Sequence, residues 1–304
     1  MPVRHTRRAI RSLVVTTLAT LLLPAVSFAQ VGGAANADVT SARAGVAAMG
    51  KQWNTEVNRE TARLYVALHR QRDSSGIRRI PDVNYGPRVR EKLDLFVPTQ
   101  GFDQLGPVIV YLHGGESTGG DKIVTGTDDL LYSNVAKWAA RVGGVGVNAN
   151  YQPSGTDDIR RLIDWVRRNA AQYGGDPNAI IVLGNGEGAT HLASYLFHEP
   201  SQLAGGPGIA GAILSSGTFG TATNALVDAY KGKAVPILLW SAEYDPIEYG
   251  VTEVKDRLCR KYATCPMFVQ LAGHNHVSHV MSIDSADTSV TNVIIRFYHS
   301  AVHK

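Results

Sequence analysis

A chain of 304 residues, 44% hydrophobic and 18% charged, is long enough for one α/β domain with a large core, and nothing in it suggests a second. The formal charge of +4 belongs to the first 29 residues: Arg4, Arg7, Arg8 and Arg11 have no acidic counterpart there, and without these four the 30 basic residues become 26, against 26 acidic ones. A near-neutral remainder gives nucleic-acid binding no basis in composition.

Residues 1–29 read as an export signal: a basic start, the apolar run SLVVTTLATLLLPAV, and small residues at Ser27-Phe28-Ala29 for cleavage. That run is too short for a membrane anchor, so a mature form without one, periplasmic or extracellular, is expected. An Ala/Gly-rich tail to about residue 37 follows, then helical periodicity over 39–70 with Trp53, Val57, Leu64, Val66 and Leu68 among charges. The main domain is expected over 80–304, after an N-terminal tail and helical segment over 30–79. Within it, strands are expected at 92–98, 107–115 and 145–151, with a helix at 129–143. The clearest helix is 156–175, where Ile159, Leu162, Ile163 and Val166 form one stripe behind an N-cap at Thr156. Strands at 179–183, 210–216, 235–242 and 266–272 then alternate with helices at 188–198, 222–231, 251–262 and 288–300. Strands apolar on both faces, alternating with helices, predict an α/β fold: a mostly parallel sheet covered by helices on both sides.

The stretch Gly184-Asn185-Gly186-Glu187-Gly188-Ala189 sits between a strand and a helix and fits two motifs. As G-x-G-x-x-G/A it would cradle a dinucleotide, but that needs an acid roughly twenty residues on, and the next strand ends in Ser215-Ser216-Gly217. As G-x-S-x-G it is a nucleophile elbow with Gly186 where the serine belongs. The elbow reading requires three companions, and the sequence contains a candidate for each. His113-Gly114-Gly115 after an early strand can turn backbone N–H groups toward an oxyanion. Asp245, just past an apolar strand, can orient an imidazole, although an Asp before a Pro is commonly a turn or cap residue. His274, His276 and His279 follow the last strand, in the chain order elbow, acid, histidine. The three histidines lack a converging carboxylate or thiolate, so no metal is expected.

With these pieces in order over residues 80–300, the chain resembles the α/β-hydrolase superfamily, specifically secreted bacterial carboxylesterases near the BD-FAE and hormone-sensitive-lipase-like esterases. Further matching pieces are Tyr85-Gly86-Pro87, Gly120-Asp121-Lys122, Asn150-Tyr151 and Tyr173-Gly174-Gly175-Asp176-Pro177. The resemblance implies the α/β-hydrolase fold, a small ester-like ligand and no cofactor. It makes Asp245 the triad acid and His276 the base, preferred over His274 because an apolar residue follows it. Backbone N–H groups of Gly114, Gly115 and Glu187 become the oxyanion donors. Two departures stand out: Glu116 replaces a third glycine, and Gly186 replaces the serine. Glycine relaxes the strained turn but offers no nucleophile.

Ser117, Thr118, Thr190, Ser215 and Ser216 are the nearby hydroxyls, Ser117 being the best placed, and a water activated by His276 and Asp245 is a further route. The functional expectations are therefore an impaired or altered carboxylesterase, a non-catalytic ligand-binding pseudoenzyme, or a His–Asp dyad lyase or cofactor-free oxygenase. Cys259 and Cys265 are expected to form one disulfide, clamping a helix end to the next strand.

Overall fold

The computed structural model describes residues 33–115, 120–152 and 156–302, with side chains from residue 37. The expected leader lies outside them. Two helices come first, α1 (Gly33–Met49) and α2 (Thr55–His69). The expected helical stretch is split because Gly50 takes φ 64° and Asn54 caps the second helix, its side chain accepting from Val57 N at 2.9 Å. There follow β1 (Ile77–Asn84), β2 (Lys92–Pro98), β3 (Gly106–Leu112), α3 (Ser133–Arg141), β4 (Val145–Ala149), α4 (Thr156–Asn169), β5 (Gly175–Asn185) and α5 (Glu187–Leu196). The chain continues through β6 (Gly211–Ser215), α6 (Thr221–Ala229), β7 (Ile237–Ala242), α7 (Val251–Lys261), β8 (Met267–Leu271), α8 (Ser278–Met281) and α9 (Thr291–Val302).

The eight strands form one sheet in the order β1-β2-β4-β3-β5-β6-β7-β8, with β2 antiparallel to both its neighbours, β1 and β4, and every other pair parallel. Period-two burial explains the two layers of helices. Val108, Val110, Ile180, Val182 and Leu239 pack with α4, α5 and α7. Their neighbours Ile109, Tyr111, Ile181, Leu183 and Trp240 pack with α3 and α9.

Two expectations change. Strand β1 was not visible in the sequence. It is a half-exposed edge strand, broken by a register shift between Ile80 and Val83 around Pro81, so neither alternation nor apolar content marks it. Residues 31–304 form one compact unit, because β1 pairs with β2 and the N-terminal helices are bonded to the C-terminal part. The helix expected from 129 starts at Ser133, since Asp128, Asp129 and Tyr132 take positive φ and cannot continue a helix. A disulfide joins Cys259, in the last turn of α7, to Cys265 before β8. Among the described residues no helix is long and apolar enough to cross a membrane.

The bond between the N-terminal helices and the rest centres on Arg43 of α1. Its guanidinium donates to both carboxylate oxygens of buried Asp287, at 2.9 and 3.1 Å, and to Ala272 O at 2.7 Å. Burial acts to raise Asp287, but Arg43 and Ser289 outweigh it and hold the carboxyl below its usual range. Arg43→Ala strands this carboxylate without its charge partner. It is expected to cost about 3 kcal/mol and to lower Tm by roughly 6–12 °C, measured by thermal unfolding; an unchanged Tm would show that Asp287 finds another partner.

Candidate active site

The chemistry is set at the carboxyl ends of the parallel strands. Strand β5 ends at Asn185, α5 begins at Glu187, and Gly186 makes the whole turn with φ 55° and ψ −117°. An L side chain is strained at these angles, so glycine occupies them at least cost. The Gly186 N–H is held by Ser215 O at 2.9 Å. Helix α5 approaches β3 so closely that a Cβ on Gly188 would lie 2.3 Å from Leu112 O and 2.6 Å from His113 O.

His276 comes from the loop after β8 and Asp245 from the turn after β7. The Nδ1–H of His276 donates to Asp245 Oδ2 at 2.7 Å, while Asp245 Oδ1 accepts from the N–H groups of Ile247 and Glu248 at 2.9 and 3.1 Å. Burial acts to raise the Asp245 carboxyl. The hydrogen bond and charge of His276 outweigh it and hold the group below the ordinary aspartate value. With Nδ1 so committed, Nε2 presents its lone pair to the elbow. It lies 3.1 Å from where a Cβ of residue 186 would stand.

The loop at the end of β3 completes the surroundings. A Cβ on Gly114 would be 3.0 Å from Asn185 O and 3.5 Å from Glu187 N, so the backbone of Gly114 lies directly against the elbow. Buried His113 anchors the loop, its Nε2 lying 2.8 Å from Asn150 Oδ1, and Tyr151 donates to His113 O at 2.5 Å. Asn150 also accepts from Lys122 N at 2.7 Å and donates to Asp121 at 3.0 Å. Lys122 in turn pairs with buried Asp94 of β2 at 3.3 Å. Gly115 takes φ 78°. Residues 116–119, with Glu116, Ser117 and Thr118, lie outside the described residues.

Residues 92–231 match the model of the carboxylesterase family. Esterase LipQ of Mycobacterium tuberculosis is 32% identical over 136 residues, covering 42% of this chain and 31% of its own length. Juvenile hormone esterase of Heliothis virescens is 32% identical over 161 residues, 49% of this chain and 28% of its own. The chain thus spans less than a third of the length of these curated relatives. Among solved structures, a Rhizomucor miehei esterase superposes with a TM-score of 0.61 at 19% identity, covering 86% of this chain and 96% of that one. Esterase B of Lactobacillus rhamnosis gives 0.60 at 13%, covering 89% and 96%. The chain has the α/β-hydrolase fold.

The protein separates its three loop histidines by their surroundings. His274 is buried between the hydroxyls of Ser278 and Ser289, both at 3.1 Å, and the Arg43 guanidinium at 3.0 Å. Arginine can only donate, so Nε2 accepts and the ring is neutral. Burial, reinforced by the Arg43 charge, pushes His274 down to about 4. His279 is fully buried beside Ser216 Oγ at 2.9 Å; burial and then the neighbouring histidines push it well below its usual value. Among the described residues no cluster of His, Cys, Asp and Glu could hold a metal ion.

The described hydroxyls are turned elsewhere. Thr190 Oγ1 donates to Thr218 O at 3.0 Å and accepts from Thr218 N at 3.2 Å. Ser215 donates to Asn185 at 2.8 Å and accepts from Trp240 Nε1 at 2.5 Å. Sequence reasoning missed the contacts of the His276 loop with α2. Trp53 stands edge-on to the His276 ring, 4.6 Å between centroids, and Asn275 Nδ2 donates to Thr61 Oγ1 at 2.8 Å. These pairs lie over two hundred residues apart, so no local pattern announces them. It also missed Glu248, pushed up to about 7 by burial and by the nearby Asp245 charge.

A histidine kept neutral by burial contributes stability that is complete above its unfolded value and lost as pH falls toward its folded one. For His274 the interval runs from 6.5 to about 4, and the loss is on the order of 3 kcal/mol. Asp245, also depressed, adds a further loss below about pH 4. Glu248, raised to about 7, acts in the opposite sense over the same interval. His274 and His279 are both depressed, so urea unfolding between about pH 7 and pH 4 should show net falling stability, and a steeper fall in Glu248→Gln. A flat profile in Glu248→Gln would mean that His274 is already protonated in the folded protein.

Proposed function

We propose that this α/β-hydrolase acts on small carboxylic esters and does so without an acyl-enzyme. His276 is the general base, Asp245 orients it and stabilises the imidazolium, and N–H groups of Gly114, Gly115 and Glu187 receive the charge on the carbonyl oxygen. The nucleophile is water. His276 Nε2 takes its proton as oxygen bonds to the acyl carbon, and the resulting imidazolium returns that proton to the departing alkoxide. The observation that carries this reading is the paired geometry of His276, with Nδ1 2.7 Å from Asp245 and Nε2 3.1 Å from the Cβ position of residue 186. The esterase names of the matched relatives support the substrate class. The basic, apolar leader and the Cys259–Cys265 disulfide support export.

Restoring the hydroxyl tests the site. Loss of a triad serine costs about 10⁶ in turnover where a full triad operates. Nε2 stands close to the added carbon, so the imidazole must retreat by a few tenths of an ångström. Gly186→Ser is therefore expected to raise kcat for p-nitrophenyl acetate by at least about 10³, part of that full factor. His276→Ala in the original chain should remove all hydrolysis above buffer. A folded Gly186→Ser protein with no gain would overturn the assignment. The same variant places serine at strained angles and should lose about 1–3 kcal/mol of stability, read from urea unfolding of both forms.

A further inference from the structure

At the amino ends of the parallel strands, away from the elbow, two cavities adjoin. One, of about 600 Å³, is lined by Arg167 in the last turn of α4, by Asn178 of β5, by Glu199 and Gln202, and by the glycine-rich loop 205–209. The other, of about 840 Å³, has Leu258, Tyr262, Pro266, Met267 and Phe297 in its lining. Residues 232–235 line both. Two tyrosines hold this shared segment: Tyr230 Oη donates to Lys233 O at 3.1 Å, and Tyr262 Oη donates to Gly232 O at 3.4 Å.

The two cavities differ in chemistry. Among the described residues Arg167 and Lys233 have no ion-pair partner, whereas Arg168, beside Arg167, pairs with Asp164 at 2.6 Å. Glu199 is the sole carboxylate among the described lining residues of the first cavity, and its Oε1 already accepts from Lys231 N at 3.0 Å. Two cations against one engaged carboxylate leave that cavity short of negative charge. In the second, Lys233 is the sole charged residue among the described lining residues, and the floor is buried Leu258 and Phe297. We infer that the two cavities together bind a long-chain carboxylate, its head beside Arg167 and Lys233 and its tail along residues 232–235 against Leu258, Met267 and Phe297. A bare anion would leave the apolar cavity unused, and a bare hydrocarbon would leave the two cations unpaired. The four shared residues span at most roughly 13–14 Å, which suits a chain of medium length such as decanoate. A few placed charges beside an apolar chamber are the usual composition of a small-molecule site.

This site lies apart from the elbow, so the inference does not rest on the hydrolysis proposed above. The test is calorimetric titration of the unaltered protein with octanoate, decanoate, decanol and inorganic phosphate, the amphiphiles kept below their aggregation limits. Decanoate should bind saturably and about fifteenfold more tightly than octanoate, the effect of two further buried CH₂ groups. Decanol and phosphate should each bind at least about tenfold more weakly than decanoate. Arg167, Lys233 and Ala263 are exposed, so substitutions there leave the core intact. Arg167→Gln with Lys233→Gln should weaken decanoate by about tenfold and leave decanol unchanged. Arg167→Lys with Lys233→Arg, which keeps both charges, should retain binding. Ala263→Trp, at the rim of the apolar cavity, should remove the preference for decanoate over octanoate. His276→Ala should leave decanoate binding as it is. Equal affinity for decanoate and octanoate, or for decanoate and decanol, overturns the inference. So does decanoate binding that persists in the double glutamine variant, or that disappears in His276→Ala, since either result puts the ligand at another site.

Discussion

The arrangement at the site depends on how closely the start of α5 lies against the end of β3. A single added carbon at Gly188 would stand 2.3 Å from Leu112 O, well inside contact distance. Any side chain there would push α5 off the sheet. Gly114 would then lose its place against Asn185 and Glu187, and residue 186 would move away from His276. The Gly114 loop and the elbow come from segments far apart in the chain. They face the same point because β3 and β5 are neighbours in register, Leu112 opposite Gly184.

A second set of contacts holds His276. His276 belongs to a loop with few regular hydrogen bonds of its own, and the N-terminal helices supply what it lacks. Arg43 binds Asp287 and Ala272, Thr61 binds Asn275, His69 lies 2.6 Å from Met281 O, and Trp53 covers the imidazole. Neutral, buried His274 and His279 fill the space behind the loop. They accept and donate hydrogen bonds without charge, whereas charging them there would cost solvation.

Glycine at position 186 is compatible with every part of this arrangement. The backbone angles are those of a strained elbow, and glycine adopts them with little penalty. The dyad keeps its hydrogen bond, and Asp245 keeps three donors in His276, Ile247 and Glu248. His276 and Asp245 thus stay hydrogen-bonded beside a residue 186 that carries no hydroxyl. On the function proposed above, this separates proton abstraction from nucleophilic attack, which a serine elbow normally combines.

Most of the fold could be read from periodicity. Seven of the eight strands and the long helix α4 carry apolar patterns strong enough to mark them; in the inner strands burial on both sheet faces leaves few polar positions, and the edge strand β8 alternates. The exception, β1, is an exposed edge with a proline, where burial imposes no pattern. At the site, HGG, GNGEG, Asp245 and His276 were readable as residues because each sits at a strand end, where glycine and polar residues interrupt an apolar run. The sequence by itself determined that residue 186 has no hydroxyl and that an acid and three histidines follow it. Only the tertiary structure decided which histidine faces the elbow and that Trp53 and Thr61 support its loop. Those relations depend on the packing of segments distant in the chain, and packing distances leave no periodic mark on the residues that make them.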